Sequence, residues 1–141
     1  MPKSRPSKII IDTNLWISFI ISNKLSLLDS LIFSGKIRLI FSLELIKEIE
    51  ATIAKPKLKK YFLYDGLVEM LTMFEPFINL VEVKSVVSVC RDPKDNFLLE
   101  LAKDSKADYI LTGDKDLLAI AKFGKTKIMT VTSFLESRNK I

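Results

Sequence analysis

Short apolar runs rich in β-branched residues alternate along this chain with longer stretches whose apolar residues recur every three or four positions. Five runs read as strands: Lys8–Ile11, IRLIFS at 37–42, FINLVEV at 77–83, ADYILT at 107–112 and KIMTV at 127–131. Between them Asn14–Ile21, Leu25–Phe33, Leu43–Ala54, Leu58–Tyr61, Leu67–Phe74, Asp95–Ala102 and DLLAIAKFG at 116–124 read as helices. Punctuation supports the boundaries. Ser-Gly-Lys at 34–36 closes the second helix, and Ser42 is placed to cap the third, whose Leu45, Ile46, Ile49 and Ile53 share one face. Pro56 breaks that helix, Pro76 ends the one before the third strand, and Gly124 stops the helix at 116–124. Ser133 with Glu136 makes a capping box for a last turn. Strands alternating with helices predict an α/β fold with a parallel sheet. The apolar strands IIID and YILT suit a sheet covered on both faces. With no internal repeat and no dividing linker, residues 1–141 read as one domain.

Composition narrows the chemistry. A chain of 141 residues with 48% hydrophobic content can build a core without covalent staples. Cys90 is the only cysteine, which excludes a disulfide framework and a cysteine zinc site. There is no histidine, so Ser–His–Asp and Cys–His units and histidine metal ligands are excluded. Catalysis, if any, runs on carboxylates, hydroxyls or lysines. The net charge of +5 fits a polyanionic partner such as nucleic acid, and it also fits a basic protein that binds nothing anionic. The basic start MPKSRPSKIIID lacks a signal-peptide core, and no run approaches a membrane span. The expectation is a soluble, cytoplasmic protein with no membrane partner.

The acids fall in a pattern. Asp12 follows KIII, Asp92 and Asp95 lie between the third strand and its following helix, and Asp114 and Asp116 follow YILTG. In open parallel sheets ligands bind outside the carboxyl ends of the strands. Any one of these acids, taken alone, reads more readily as a helix cap. Three clusters at one sheet edge repel one another unless something neutralises them. A divalent cation does so, and all-oxygen ligands favour Mg²⁺ or Mn²⁺. Glu48, one turn from Glu44 and at the rim of the apolar stripe, can lean towards that edge, or can be a solvated acid beside Lys47. KPKLKKYF at 55–62 sets Lys55, Lys57, Lys59 and Lys60 beside Tyr61 and Phe62. Lysines can neutralise phosphates and aromatics can stack on bases, although both rings can equally belong to the core. Trp16, in LWISFII, reads as core or as a dimer surface.

The ordered set IIIDTN, SLELIKEI, CRDPKDNFLLELA, YILTGDKDLL and KIMTVTSFLE resembles PIN-domain ribonucleases, most closely the toxin components of bacterial and archaeal toxin–antitoxin pairs. The resemblance runs from Lys8 to about Leu135. It implies a three-layer α/β/α sandwich on a parallel sheet of about five strands. It also implies an acidic cluster that holds one or two Mg²⁺ or Mn²⁺ ions and hydrolyses RNA. By position Asp12 matches the first acid of the family and Asn14 the polar residue that supports it. Glu48 matches the helical glutamate, Asp95 the third acid, Asp114 and Asp116 the last pair, and Thr112 the hydroxyl before them. Asp92 belongs to an RDP variant and is placed as a supporting residue. Metal ligation is thereby expected of Asp12, Asp95, Asp114 and Asp116. The implied partners are RNA, an antitoxin protein and a second copy of the chain. Two rivals stand beside this reading. A phosphatase of the haloacid-dehalogenase type needs an aspartate where Asn14 stands, and a phospho-accepting receiver needs a lysine better placed than Lys127. A silent RNA- or protein-binding module would keep the acids without using them.

Overall fold

The computed structural model describes residues 5–22, 28–59, 66–88 and 95–138. Strand β1 (Ser7–Ile11) carries Ile9, Ile10 and Ile11, all buried; successive side chains point to opposite faces, so both faces of the sheet are covered along this run. The chain continues through α1 (Thr13–Ser22), α2 (Leu28–Phe33), β2 (Ile37–Phe41), α3 (Leu43–Ile53), α4 (Pro56–Lys59) and α5 (Gly66–Phe74). A 3₁₀ turn at Glu75–Phe77 leads into β3 (Ile78–Leu80), followed by α6 (Asn96–Ser105), β4 (Tyr109–Leu111) and α7 (Lys115–Ile120). The chain closes with β5 (Lys122–Phe123), β6 (Thr126–Met129) and α8 (Val131–Arg138). Among the described residues no helix is long and apolar enough to cross a membrane.

The sheet runs in the order β3-β2-β1-β4-β6-β5, parallel throughout except for the β5–β6 pair. It has six strands where the apolar runs predict about five. The chain works outward from β1 to β3 and then returns to β4, so the strand order reverses between β1 and β4. Their carboxyl ends therefore open a crevice. Ile11 and Leu111 are register partners there, which places Asp12 and Thr112 side by side immediately beyond them.

Several local details differ from expectation. The predicted helix at 116–124 stops at Ile120, because Ala121 adopts φ 63°, ψ −41° and turns the chain. Lys122–Phe123 then pair back on β6 through a two-residue loop whose first residue, Gly124, has φ 59°. The third strand keeps only Ile78–Leu80 of the predicted 77–83. Beyond it the amides of Lys84 and Ser85 donate to Asp104 and that of Val87 to Glu100, so side chains of α6 replace a strand ladder. Pro56 opens α4, two residues before the predicted start, because its fixed φ suits a first helical position. The last helix begins at Val131, and Thr130 Oγ1, not Ser133, accepts the capping amide, that of Ser133.

Trp16 is core: its ring meets those of Phe19, Phe41 and Phe74 at centroid distances of 6.4, 5.1 and 6.1 Å, joining α1, β2 and α5. Gly35, at φ 80°, closes α2 in a Schellman turn, with Lys36 N–H donating to the Leu31 carbonyl at 3.2 Å. Ala121 meets a similar demand without glycine's freedom. Ala121→Gly is expected to stabilise the protein by about 1 kcal/mol, read as a raised denaturation midpoint at unchanged slope. An unchanged or lowered midpoint would show that the conformation carries no strain.

Candidate metal centre

Asp12 sits at the end of β1, 6% exposed, and caps α1: the Leu15 amide donates to its Oδ1 at 2.9 Å. Its Oδ2 accepts a short hydrogen bond from the Thr112 hydroxyl. Thr112 Oγ1 in turn accepts the Asp114 amide at 3.0 Å. One buried hydroxyl thus ties the end of β1 to the turn after β4. Burial pushes the Asp12 carboxyl above its ordinary value. Hydrogen bonds from Thr112, Leu15 and Gly113 pull it part of the way back, and the charge of Asp114 raises it again.

Asp114 caps α7 with one oxygen. Its Oδ1 accepts the amides of Asp116 at 2.7 Å and Leu117 at 3.2 Å. Asp116 lies in the first turn of the same helix. Asp95 occupies the N-cap position of α6 yet makes no side-chain capping bond there. Asp95, Asp114 and Asp116 instead come together: one carboxylate oxygen from each lies within 4.8 Å of the others, and all three residues are half-buried. Helix capping therefore accounts for Asp12 and in part for Asp114, but not for Asp95.

Three carboxylates this close repel, and partial burial strengthens the repulsion. Hard oxygen donors without nitrogen or sulfur suit a divalent cation of the Mg²⁺ or Mn²⁺ class, so the donor set fits such an ion. Asp12 adjoins the trio through Thr112 and is not one of its three members. A carboxylate oxygen that accepts one hydrogen bond keeps a further lone pair, so Asp12 can still serve as a ligand.

The other predicted residues fall as follows. Glu48 is exposed on α3 and outside the trio. Asn14 is exposed in the first turn of α1, and the hydrogen bonds to Asp12 come from elsewhere. Lys55 and Lys57 are exposed around the start of α4. Asp92, Lys60 and the side chain of Lys59 lie outside the described residues. A cavity of about 240 Å³ between α3 and α5 is lined by Ile46, Glu50, Ile53 and Leu71 among others, and by none of the site acids. Sequence reasoning missed the Leu15 and Gly113 amides that hold Asp12. A glycine directly after the threonine of YILTGD was the available hint for the second, since it leaves the backbone open to approach.

Thr112 is the test of the bridge. Thr112→Val keeps the shape and removes the hydroxyl. It is expected to cost about 1–3 kcal/mol of stability by leaving Asp12 under-bonded, and to weaken Mn²⁺ binding roughly 10–100-fold. Titration calorimetry with Mn²⁺ and thermal melts would check both, and wild-type affinity would exclude the bridge as a support of the site.

Comparison with known proteins agrees with this geometry. A family model described as PIN domain matches residues 8–116. A protein of Methanocaldococcus jannaschii, described as uncharacterized, is 35% identical over 145 residues, covering 94% of this chain and 92% of the relative.

Proposed function

The chain belongs to the PIN-domain family, a nuclease-type fold, and from that premise we propose that it is an endoribonuclease dependent on Mg²⁺ or Mn²⁺ and the toxin of a toxin–antitoxin pair acting in the cytoplasm. The observation that carries the catalytic part is the trio Asp95, Asp114 and Asp116, gathered from two helix starts at the carboxyl edge of the sheet. The strand reversal at β1–β4, combined with the right-handed crossovers general to parallel connections, supports helices on both faces, the three-layer layout of this reading.

Asp95, Asp114 and Asp116 would hold one ion, and Asp12 would add a ligand beside them; a second ion belongs to the same reading. A bound ion of this class supplies a water that is nucleophilic at neutral pH and positive charge against the phosphorus centre. The chain's own groups do the rest. Thr112 holds Asp12 and the turn at 113–114 in one arrangement, so the ligands are set before substrate arrives. With no histidine in the chain, the proton falls to a carboxylate or to water. Glu48 enters as the helical acid of the family pattern, with Asn14 and Asp92 in support. Lys55, Lys57, Lys59 and Lys60 enter as contacts to RNA phosphates. The antitoxin and a homodimer complete the proposal.

The test is cleavage of a panel of tRNA, rRNA fragments and mRNA by purified protein in Mg²⁺, in Mn²⁺ and in EDTA. Cutting that requires the metal is expected. Well-folded protein that binds RNA and Mn²⁺ but cuts nothing would replace the enzyme with a binding module.

A further inference from the structure

We propose that the amino-terminal end of the β4–β6–β5 side of the sheet is a second RNA-binding surface, which grips phosphates away from the acid cluster. Five cations meet there. Lys125 pairs with Asp108 at 3.1 Å, and Asp108 also accepts the Lys8 amide at 2.8 Å. Lys8 Nζ reaches the Ser105 carbonyl at 3.4 Å, one residue before Lys106. Thr126 Oγ1 donates to the Ala107 carbonyl at 2.6 Å, which ties the β5–β6 turn to the segment that carries Lys106. Lys122 and Lys127 are register partners across the hairpin. Lys106, Lys122, Lys125 and Lys127 are all exposed, and Asp108 is the acid seated among them.

Three of these lysines depart from local rules of stability, in two places. Lys106 ends α6 in the left-handed region, φ 57°, ψ 43°, a position where glycine removes the strain. Lys122 and Lys127 stand directly opposite each other, an arrangement in which like charges destabilise an antiparallel pair. Sequences depart from local consistency mainly where function demands it, and a polyanion satisfies both departures at once. The choice of RNA as that polyanion rests on the ribonuclease reading. The surface belongs to the same sheet as the acids: the six steps of chain from Lys106 to Thr112 span at most about 20 Å at roughly 3.3 Å each. A single strand with a phosphate at the acids therefore reaches this end with a short extension.

The experiment is binding of a fluorescein-labelled single-stranded RNA, followed by anisotropy in EDTA from low salt to 1 M. Wild type is compared with Lys106→Gly/Lys127→Gln and with a charge-matched control, Lys47→Gln/Lys84→Gln. Loss of two phosphate contacts is expected to lower the slope of log affinity against log salt by about 1.4, or about tenfold in affinity at 0.2 M relative to 1 M. The surface variant is also expected to melt at a higher temperature than wild type, so weaker binding cannot be assigned to unfolding. An unchanged slope, an equal fall in the control, or no binding of RNA by wild type would each overturn the proposal. The EDTA condition separates it from catalysis. A slope difference in a protein that never cuts RNA would sink the ribonuclease reading alone, and cleavage with an unchanged slope would sink this one alone.

Discussion

Asp114→Asn is expected to leave a folded protein that no longer cuts RNA. The substitution acts on the two roles of the side chain separately. As a cap, Asp114 accepts the Asp116 and Leu117 amides through one oxygen. Asparagine is an equally good N-cap, so stability should move by less than about 0.5 kcal/mol, whereas Asp114→Ala should cost about 1 kcal/mol. As a member of the acid trio, it loses its charge. Replacing a residue that merely supports a metal ligand costs roughly 10–100-fold, so replacing a ligand should lower kcat/KM by more than about 100-fold. Mn²⁺ affinity should fall with it. Single-turnover cleavage, thermal melts and Mn²⁺ titration on the same two variants separate cap from ligand. Wild-type cleavage by Asp114→Asn would remove this residue from the metal centre, and the proposed mechanism with it.

Asp12→Asn should abolish cleavage and yet stabilise the metal-free protein. Burial holds the folded-state carboxyl above its ordinary value of 3.8, so the folded chain releases this proton less readily than the unfolded chain does. The stability associated with the neutral form is fully present below pH 3.8 and is lost as pH rises through the raised folded value. The loss is about 1.4 kcal/mol for each unit by which the folded value exceeds the unfolded one. Asparagine carries no charge to bury and keeps an acceptor for the Leu15 amide. In EDTA, wild type should therefore lose stability more steeply than the variant as pH rises from about 4, and above the raised folded value the variant should melt higher. Saturating Mn²⁺ should reverse the order, since binding to the native state stabilises wild type. Parallel pH dependences in EDTA would show that the Asp12 charge is not a burden on the fold, and the metal would then have no such charge to relieve.

Much of the site was legible because it is local. Asp12, Asp95 and Asp114 each follow an apolar run or open a helix within a few residues, and a parallel sheet sends the ends of such runs to one edge. Glu48 shows the limit of such reasoning. Spacing put it at the rim of the α3 stripe beside buried Leu45 and Ile49, but which way a rim residue leans depends on what packs above it, and here it is exposed. The hairpin at 122–129 was misread for a related reason. DLLAIAKFG keeps a helical rhythm to its glycine, and nothing in that rhythm marks Ala121 as the residue that turns the chain.

The amino-acid order by itself determined the α/β class, the strand ends that carry acids, and the absence of histidine chemistry. These follow from side-chain periodicity and residue type, which act over one or two turns of chain. The tertiary structure decided that Asp95, Asp114 and Asp116 form the trio while Asp12 stands beside it under Thr112. It also decided that burial raises the Asp12 carboxyl and that five cations gather at the far end of the sheet. Thr112 and Asp12 are 100 residues apart and meet because Leu111 is in register with Ile11. Register and burial come from the packing of the whole sheet, and no short window of residues contains them.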